Sequence, residues 1–234
     1  MSEPEIQVPE IQVLEDPSAT VARMLVEAGQ AGRHIVLTGG STPRLAYEQA
    51  AQMDADWSRA TFWFGDDRAV PPDHEHSNFG MAEKALLGQI EPAAVHRMKG
   101  ELGAHEGADD YEVQLRSVFG EGAARFDFLL LGLGPDAHCA SLFPGDAALG
   151  ERERECVGVD VPGMAPLVPR ITLTLPVLNA AREVVFLVAG EDKAEAVARA
   201  FGRLRPGPDA PASLVRPVSG TLTVLLDQAA AEHL

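Results

Sequence analysis

Short apolar runs alternate along the chain with stretches of helical periodicity. His34-Ile-Val-Leu-Thr38, Thr61-Phe-Trp-Phe64, Phe126-Asp-Phe-Leu-Leu-Leu131 and residues 184–189 are the apolar runs. They have the form of strands buried on both faces. Ile171-Thr-Leu-Thr-Leu175 alternates as a strand does, and residues 221–226 form a last strand. Residues 1–15 read as a tail leading into an edge strand. Between these runs, Asp16-Pro17 joins an N-cap residue to a proline at the first helical position. Val21, Leu25 and Ala28 then make one stripe, with Gly29 and Gly32 closing the helix. Further helices are predicted over 43–53, 79–87, 108–119 and 192–201. Residues 65–77, 132–145 and the proline-rich 205–217 read as loops. Strands alternating with helices predict an α/β fold, a mostly parallel sheet with helices on both faces, in one domain across residues 1–234. A ligand site in such a sheet lies at the carboxyl ends of the strands.

Composition narrows the function. The chain has 234 residues, 46% hydrophobic and 23% charged, as in an ordinary soluble protein. Its net charge of −16 argues against nucleic acid, which needs a basic surface to replace counterions. It argues equally against anionic membranes, and no apolar run is long enough to span one. The same charge would repel an anionic substrate. A phosphate site must therefore be a local island of arginine and lysine. Cys139 and Cys156 are spaced for neither a disulfide framework nor a zinc motif, which suits a reducing cytoplasm. The acidic start, Met-Ser-Glu-Pro-Glu-Ile, does not read as a signal peptide.

Four segments are candidates for chemistry. Gly39-Gly-Ser-Thr-Pro43 stands between a strand and a helix, where free N–H groups and the helix dipole attract an anion. Gly40, Ser41 and Thr42 would hold a phosphate there; an ordinary cap with a turn is the alternative. Gly65-Asp66-Asp67-Arg68, with Ser77 and Asn78, offers a guanidinium fork among polar groups, or else a solvated acidic loop. His74-Glu75-His76 lacks the further ligands of a metal site. Gly132-Leu-Gly-Pro-Asp-Ala-His138 matches the dinucleotide fingerprint only in outline, since Pro135 removes an amide. Its histidine, two residues after Asp136, suits proton transfer near neutral pH, or is structural. Lys193 opens a helix at the end the dipole disfavours for a cation, which points to an anion in the site or to simple exposure.

Together these segments, with Arg170-Ile-Thr-Leu-Thr174, Asn179 and residues 190–194, resemble the 6-phosphogluconolactonase family in order and across roughly residues 35–195. The resemblance implies a Rossmann-like fold shared with sugar-phosphate isomerases and deaminases. It also implies hydrolysis of 6-phospho-D-glucono-1,5-lactone to 6-phosphogluconate, with neither a catalytic metal nor an organic cofactor. His138 would be the base and Asp136 its partner. Gly40, Ser41, Thr42, Arg68, Arg170 and Lys193 would hold the phosphate, and Asp66 and Asn78 the hydroxyls or the arginine. A small phosphorylated sugar lactone is the expected partner, and a monomer or weak homodimer the expected state. Two positions depart from the family's habit. Ala137 stands where glycine is usual, and Asp67 where glutamate is usual. A glucosamine-6-phosphate deaminase is the competing resemblance, but its glutamate before the loop proline is Phe143 here.

Overall fold

A computed structural model of the chain describes residues 8–202 and 206–234. The first part of the expected amino-terminal tail, and Arg205 at the head of the proline-rich loop, lie outside the described residues. The strands are β1 (Glu10–Val13), β2 (His34–Leu37), β3 (Thr61–Phe64), β4 (Asp66–Arg68), β5 (Ala94–Val95), β6 (Phe128–Leu131), β7 (Cys156–Val159), β8 (Arg170–Leu173), β9 (Glu183–Val188) and β10 (Thr221–Leu226). The helices are α1 (Pro17–Gln30), α2 (Ser41–Ala51), α3 (Asn78–Ala85), α4 (Ala104–Phe119), α5 (Leu175–Ala180) and α6 (Ala194–Phe201).

Seven strands form one sheet in the order β1-β10-β9-β6-β2-β3-β5. Each neighbouring pair runs parallel. Successive side chains of a strand point to opposite faces, and the apolar runs supply both. Ile35, Leu37, Phe62, Phe64, Phe128 and Leu130 face α1, α2 and α3. Val36, Trp63, Leu129 and Leu131 face α4, α5 and α6. The predicted Rossmann-like arrangement, helices on both faces of a parallel sheet, is what the chain adopts.

Three local expectations change. Residues 65–77 do not form one loop. Asp66–Arg68 is strand β4, which pairs antiparallel with β8, itself antiparallel to β7, in a second three-stranded sheet. A strand this short and charged carries no apolar alternation; its pairing comes from β8. Gly29 does not close α1 but lies inside it, and a Cβ there would come within 2.3 Å of the Trp57 ring. The glycine serves close packing, and Gly32, at φ +69°, makes the exit. Finally, α2 begins at Ser41 rather than Pro43, so Gly40 is its N-cap.

Candidate active site

A cavity of about 350 Å³ opens at the carboxyl ends of the central strands. Every residue expected at the site lines it except Asp136, which is bonded to one that does. Two buried tyrosines shape its rim from below. The Tyr47 hydroxyl accepts from Thr38 N–H at 2.9 Å and donates to the same residue's carbonyl at 2.8 Å. Tyr111 does the same for Phe64, at 2.8 and 3.1 Å. The peptide groups where β2 and β3 stop pairing are therefore satisfied without water.

The wall after β2 is the start of α2. Gly40 sits at φ +114°, where an L side chain is strained. The first-turn amides of Ser41 and Thr42 have no intrahelical acceptor, as at any helix start. Gly39 is required for a different reason: a Cβ would fall 2.0 Å from Asn78 Oδ1.

The cationic wall comes from three elements. Arg68 Nη1 donates to the His76 carbonyl at 2.6 Å, while its buried Nε has no hydrogen-bond partner. Arg170, 3% exposed, is held by the carbonyls of Val168 (3.1 Å) and Pro166 (3.0 Å). Burial and then the like charge of Arg68 pull the Arg170 guanidinium below its ordinary range. Lys193 adds a third cation, 3.5 Å from Asp192. Two guanidiniums near enough to repel each other in a half-buried cavity are the local island that a chain of this net charge needs. An anion placed between them relieves the repulsion.

The floor is Asp66. Its Oδ2 accepts from the Ser141 hydroxyl at 2.6 Å and its Oδ1 from Asn78 Nδ2 at 3.3 Å. Ser141 N–H is in turn held by Thr172 Oγ1 at 3.2 Å.

Opposite stands the histidine loop. Gly134 N–H donates to the His138 carbonyl and Ala137 N–H to the Gly134 carbonyl, both at 2.9 Å, which closes a tight turn. Asp136 Oδ1 takes His138 Nδ1 at 2.5 Å and the His138 amide at 3.1 Å. An ionised carboxylate only accepts, so the ring proton is assigned to Nδ1, which leaves the Nε2 lone pair free. Burial pushes the Asp136 carboxyl up, but the bonds and charge of His138 outweigh it, and the group rests below the usual carboxylate range. Ala137, at φ +66°, does carry the left-handed strain expected of an alanine in a glycine position, worth about 1–2 kcal/mol. Phe143 lies 4.5 Å from the imidazole, ring to ring, and 5.9 Å from the Arg170 guanidinium. It offers no proton at the place where the competing resemblance needs a glutamate.

Other candidates fall outside. Asn179 bonds to the Leu214 carbonyl and the Arg216 amide and fixes a distant loop. His74 Nδ1 accepts from the His76 amide at 3.1 Å, and among the described residues no cluster is arranged to hold a metal ion. Cys139 is buried and burial pushes its thiol up, which disfavours the thiolate. Three residues inside the candidate segments were given no role by the sequence pattern. Ser141 is one of many loop serines, Asp67 one of two adjacent aspartates, and Gly134 matters through the ring that packs on it.

The class is now defined: a doubly wound α/β protein whose cavity at the carboxyl edge of the sheet brings a histidine–aspartate pair together with two arginines and a lysine. The chain belongs to the family of glucosamine-6-phosphate isomerases/6-phosphogluconolactonase, whose model matches residues 11–224. It is similar to a 6-phosphogluconolactonase of Homo sapiens, 42% identical over 85% of this chain and 79% of the relative. A 6-phosphogluconolactonase of a Synechocystis strain is 38% identical over 92% and 89%. The solved 6-phosphogluconolactonase of Trypanosoma brucei superposes with a TM-score of 0.87 at 29% identity, covering 98% of this chain and all of that one. A monomeric glucosamine-6-phosphate deaminase, 20% identical at a TM-score of 0.81, shares the fold.

Proposed function

We propose that this protein hydrolyses 6-phospho-D-glucono-1,5-lactone to 6-phosphogluconate, the second step of the oxidative pentose phosphate pathway, by direct attack of water. The observation that carries this reading is the His138–Asp136 pair facing Arg68, Arg170 and Lys193 across one cavity. His138 Nε2 takes a proton from water as the water oxygen bonds to the lactone carbonyl carbon. The tetrahedral intermediate then breaks its bond to the ring oxygen, which leaves with the proton returned by the imidazolium. Asp136 stabilises that cation and fixes the ring. Gly40, Ser41 and Thr42 bind the phosphate together with the three cations. Asp66 and Asn78 face the sugar hydroxyls. Phe143 supports the lactonase over an amine-releasing isomerase, because an apolar ring stands beside the histidine where that resemblance has a glutamate. The protein is expected to work as a single domain in the cytoplasm, as a monomer or weak homodimer, without metal or organic cofactor. Its two free, buried cysteines suit that compartment.

The decisive measurement is lactone disappearance with and without protein, for phosphorylated and unphosphorylated lactones, corrected for spontaneous opening. Faster loss of the phosphorylated substrate alone is expected, and equal rates with and without protein would end the proposal. Arg68→Ala is expected to raise KM about tenfold or more with kcat little changed, the loss of a charge-assisted contact. Unchanged KM would remove Arg68 from the phosphate site.

A further inference from the structure

Asp67 is 1% exposed and does not line the cavity, yet it holds two residues that do. Its Oδ1 accepts the backbone N–H of Arg68 at 2.8 Å and that of Asn78 at 2.6 Å. Its Oδ2 accepts the Phe79 N–H at 3.0 Å and the Ser77 hydroxyl at 3.3 Å. The carboxylate thus ties β4 to the first turn of α3 across the intervening loop. The same loop supplies the His76 carbonyl that takes the Arg68 guanidinium.

We infer that Asp67 is a positioning residue that holds Arg68, proposed for the phosphate, and Asn78, proposed for the sugar hydroxyls, as one rigid block that binds the substrate. The inference rests on the lactonase reading above. A shared carboxylate is well suited to the task. It is an acceptor only, and four donors converge on it from two elements, so moving either element breaks charge-assisted bonds. No neutral side chain of similar size supplies four acceptor sites. Asparagine would turn an N–H₂ group toward donors, which is repulsive. Burial pushes the Asp67 carboxyl up to about 6 against the pull of its backbone N–H bonds, and the charge of Asp66 adds to the rise. Arg68 on the same strand, Arg170 on β8, Arg97 ahead of α4 and Tyr111 on α4 are the other titratable groups around it. Its four donors offset part of the cost of burying the charge, so losing one donor set weakens the hold on the others.

The test compares Asp67→Asn and Asp67→Glu with the wild type in steady-state hydrolysis, in calorimetric binding of 6-phosphogluconate and in thermal melting. Asp67→Asn is expected to raise KM and the Kd of 6-phosphogluconate about tenfold, or about 1.4 kcal/mol, while kcat changes less than about threefold. Asp67→Glu keeps the charge but moves the oxygens by one methylene, and is expected to fall between the two. If Asp67→Asn does not fold, the Glu variant alone carries the test, with a KM raised about threefold at unchanged kcat. A folded variant with a lower melting temperature but unchanged KM and Kd would overturn the inference, as would a fall in kcat at constant KM. A wild type that binds no 6-phosphogluconate and turns over no lactone would defeat the lactonase reading itself. Wild-type turnover with unaffected variants would defeat only the role of Asp67.

Discussion

His138→Ala is expected to lower kcat for the phosphorylated lactone by about 10²–10⁴-fold, the usual worth of a positioned general base. KM should change little, because the groups proposed to bind the phosphate, Arg68, Arg170, Lys193 and the start of α2, are other residues lining the cavity. The residual rate comes from binding, orientation and whatever dipoles face the developing oxyanion. Asp136 makes a second, smaller contribution. Burial raises its carboxyl, but the bonds and charge of His138 hold it below the usual carboxylate range. The stability it adds is present above its unfolded pKa and is lost as pH falls through the folded value. A coupled dehydrogenase assay, with the uncatalysed rate subtracted, reads the effect. Near-normal turnover by His138→Ala would remove the histidine from the chemistry.

The second large effect is expected from a single methyl group. In Gly134→Ala the new Cβ would lie 2.0 Å from His138 Nδ1 and 2.8 Å from Asp136 Oδ1. Neither atom can retreat independently, since the two are bonded at 2.5 Å and the turn is closed by its own peptide bonds. Gly134 does not have positive φ, so the substitution acts through the ring and not through the backbone. The imidazole must rotate or move by roughly an ångström, and such a displacement costs about 10²-fold in rate. Loss of kcat with a cooperative melt and preserved 6-phosphogluconate binding is the expected pattern. Wild-type kcat would show that the ring has room the geometry denies it.

How much of this was legible beforehand depended on what kind of information each part uses. Strands β2, β3, β6, β9 and β10 announce themselves because a sheet buried on both faces needs continuous apolar runs. The phosphate loop was legible because Gly39 and Gly40 precede a hydroxyl pair and a proline at a strand–helix junction. Strand β4 was not, because Asp66, Asp67 and Arg68 pair with β8 through backbone bonds to residues a hundred positions away. Nothing local in three charged residues records that. Asp67 was named as part of a candidate segment, but its role was not legible for the same reason: its partners at 77–79 are neighbours only once α3 docks on β4. Ser141 became visible only through its bond to Asp66. The spacing of two residues already suggested that Asp136 orients His138, and the resemblance strengthened that reading. Only geometry shows why glycine precedes them at 134.

The strand order has a consequence for synthesis. Strand β1 has β10 as its neighbour in the sheet, and among the described strands β10 is made last. The cavity draws on β2, β4, β6, β8 and β9, so its parts emerge over most of the translation time. A nascent chain halted before β9 would carry the glycine loop and the histidine turn but no Lys193, and β1 would still be waiting for its mate. Ligand capture on the ribosome should therefore switch on late and abruptly. Long-range parallel pairing is also slow to form. Until β10 emerges, β9 offers an unpaired apolar edge, the kind of surface that chaperones bind and aggregation exploits.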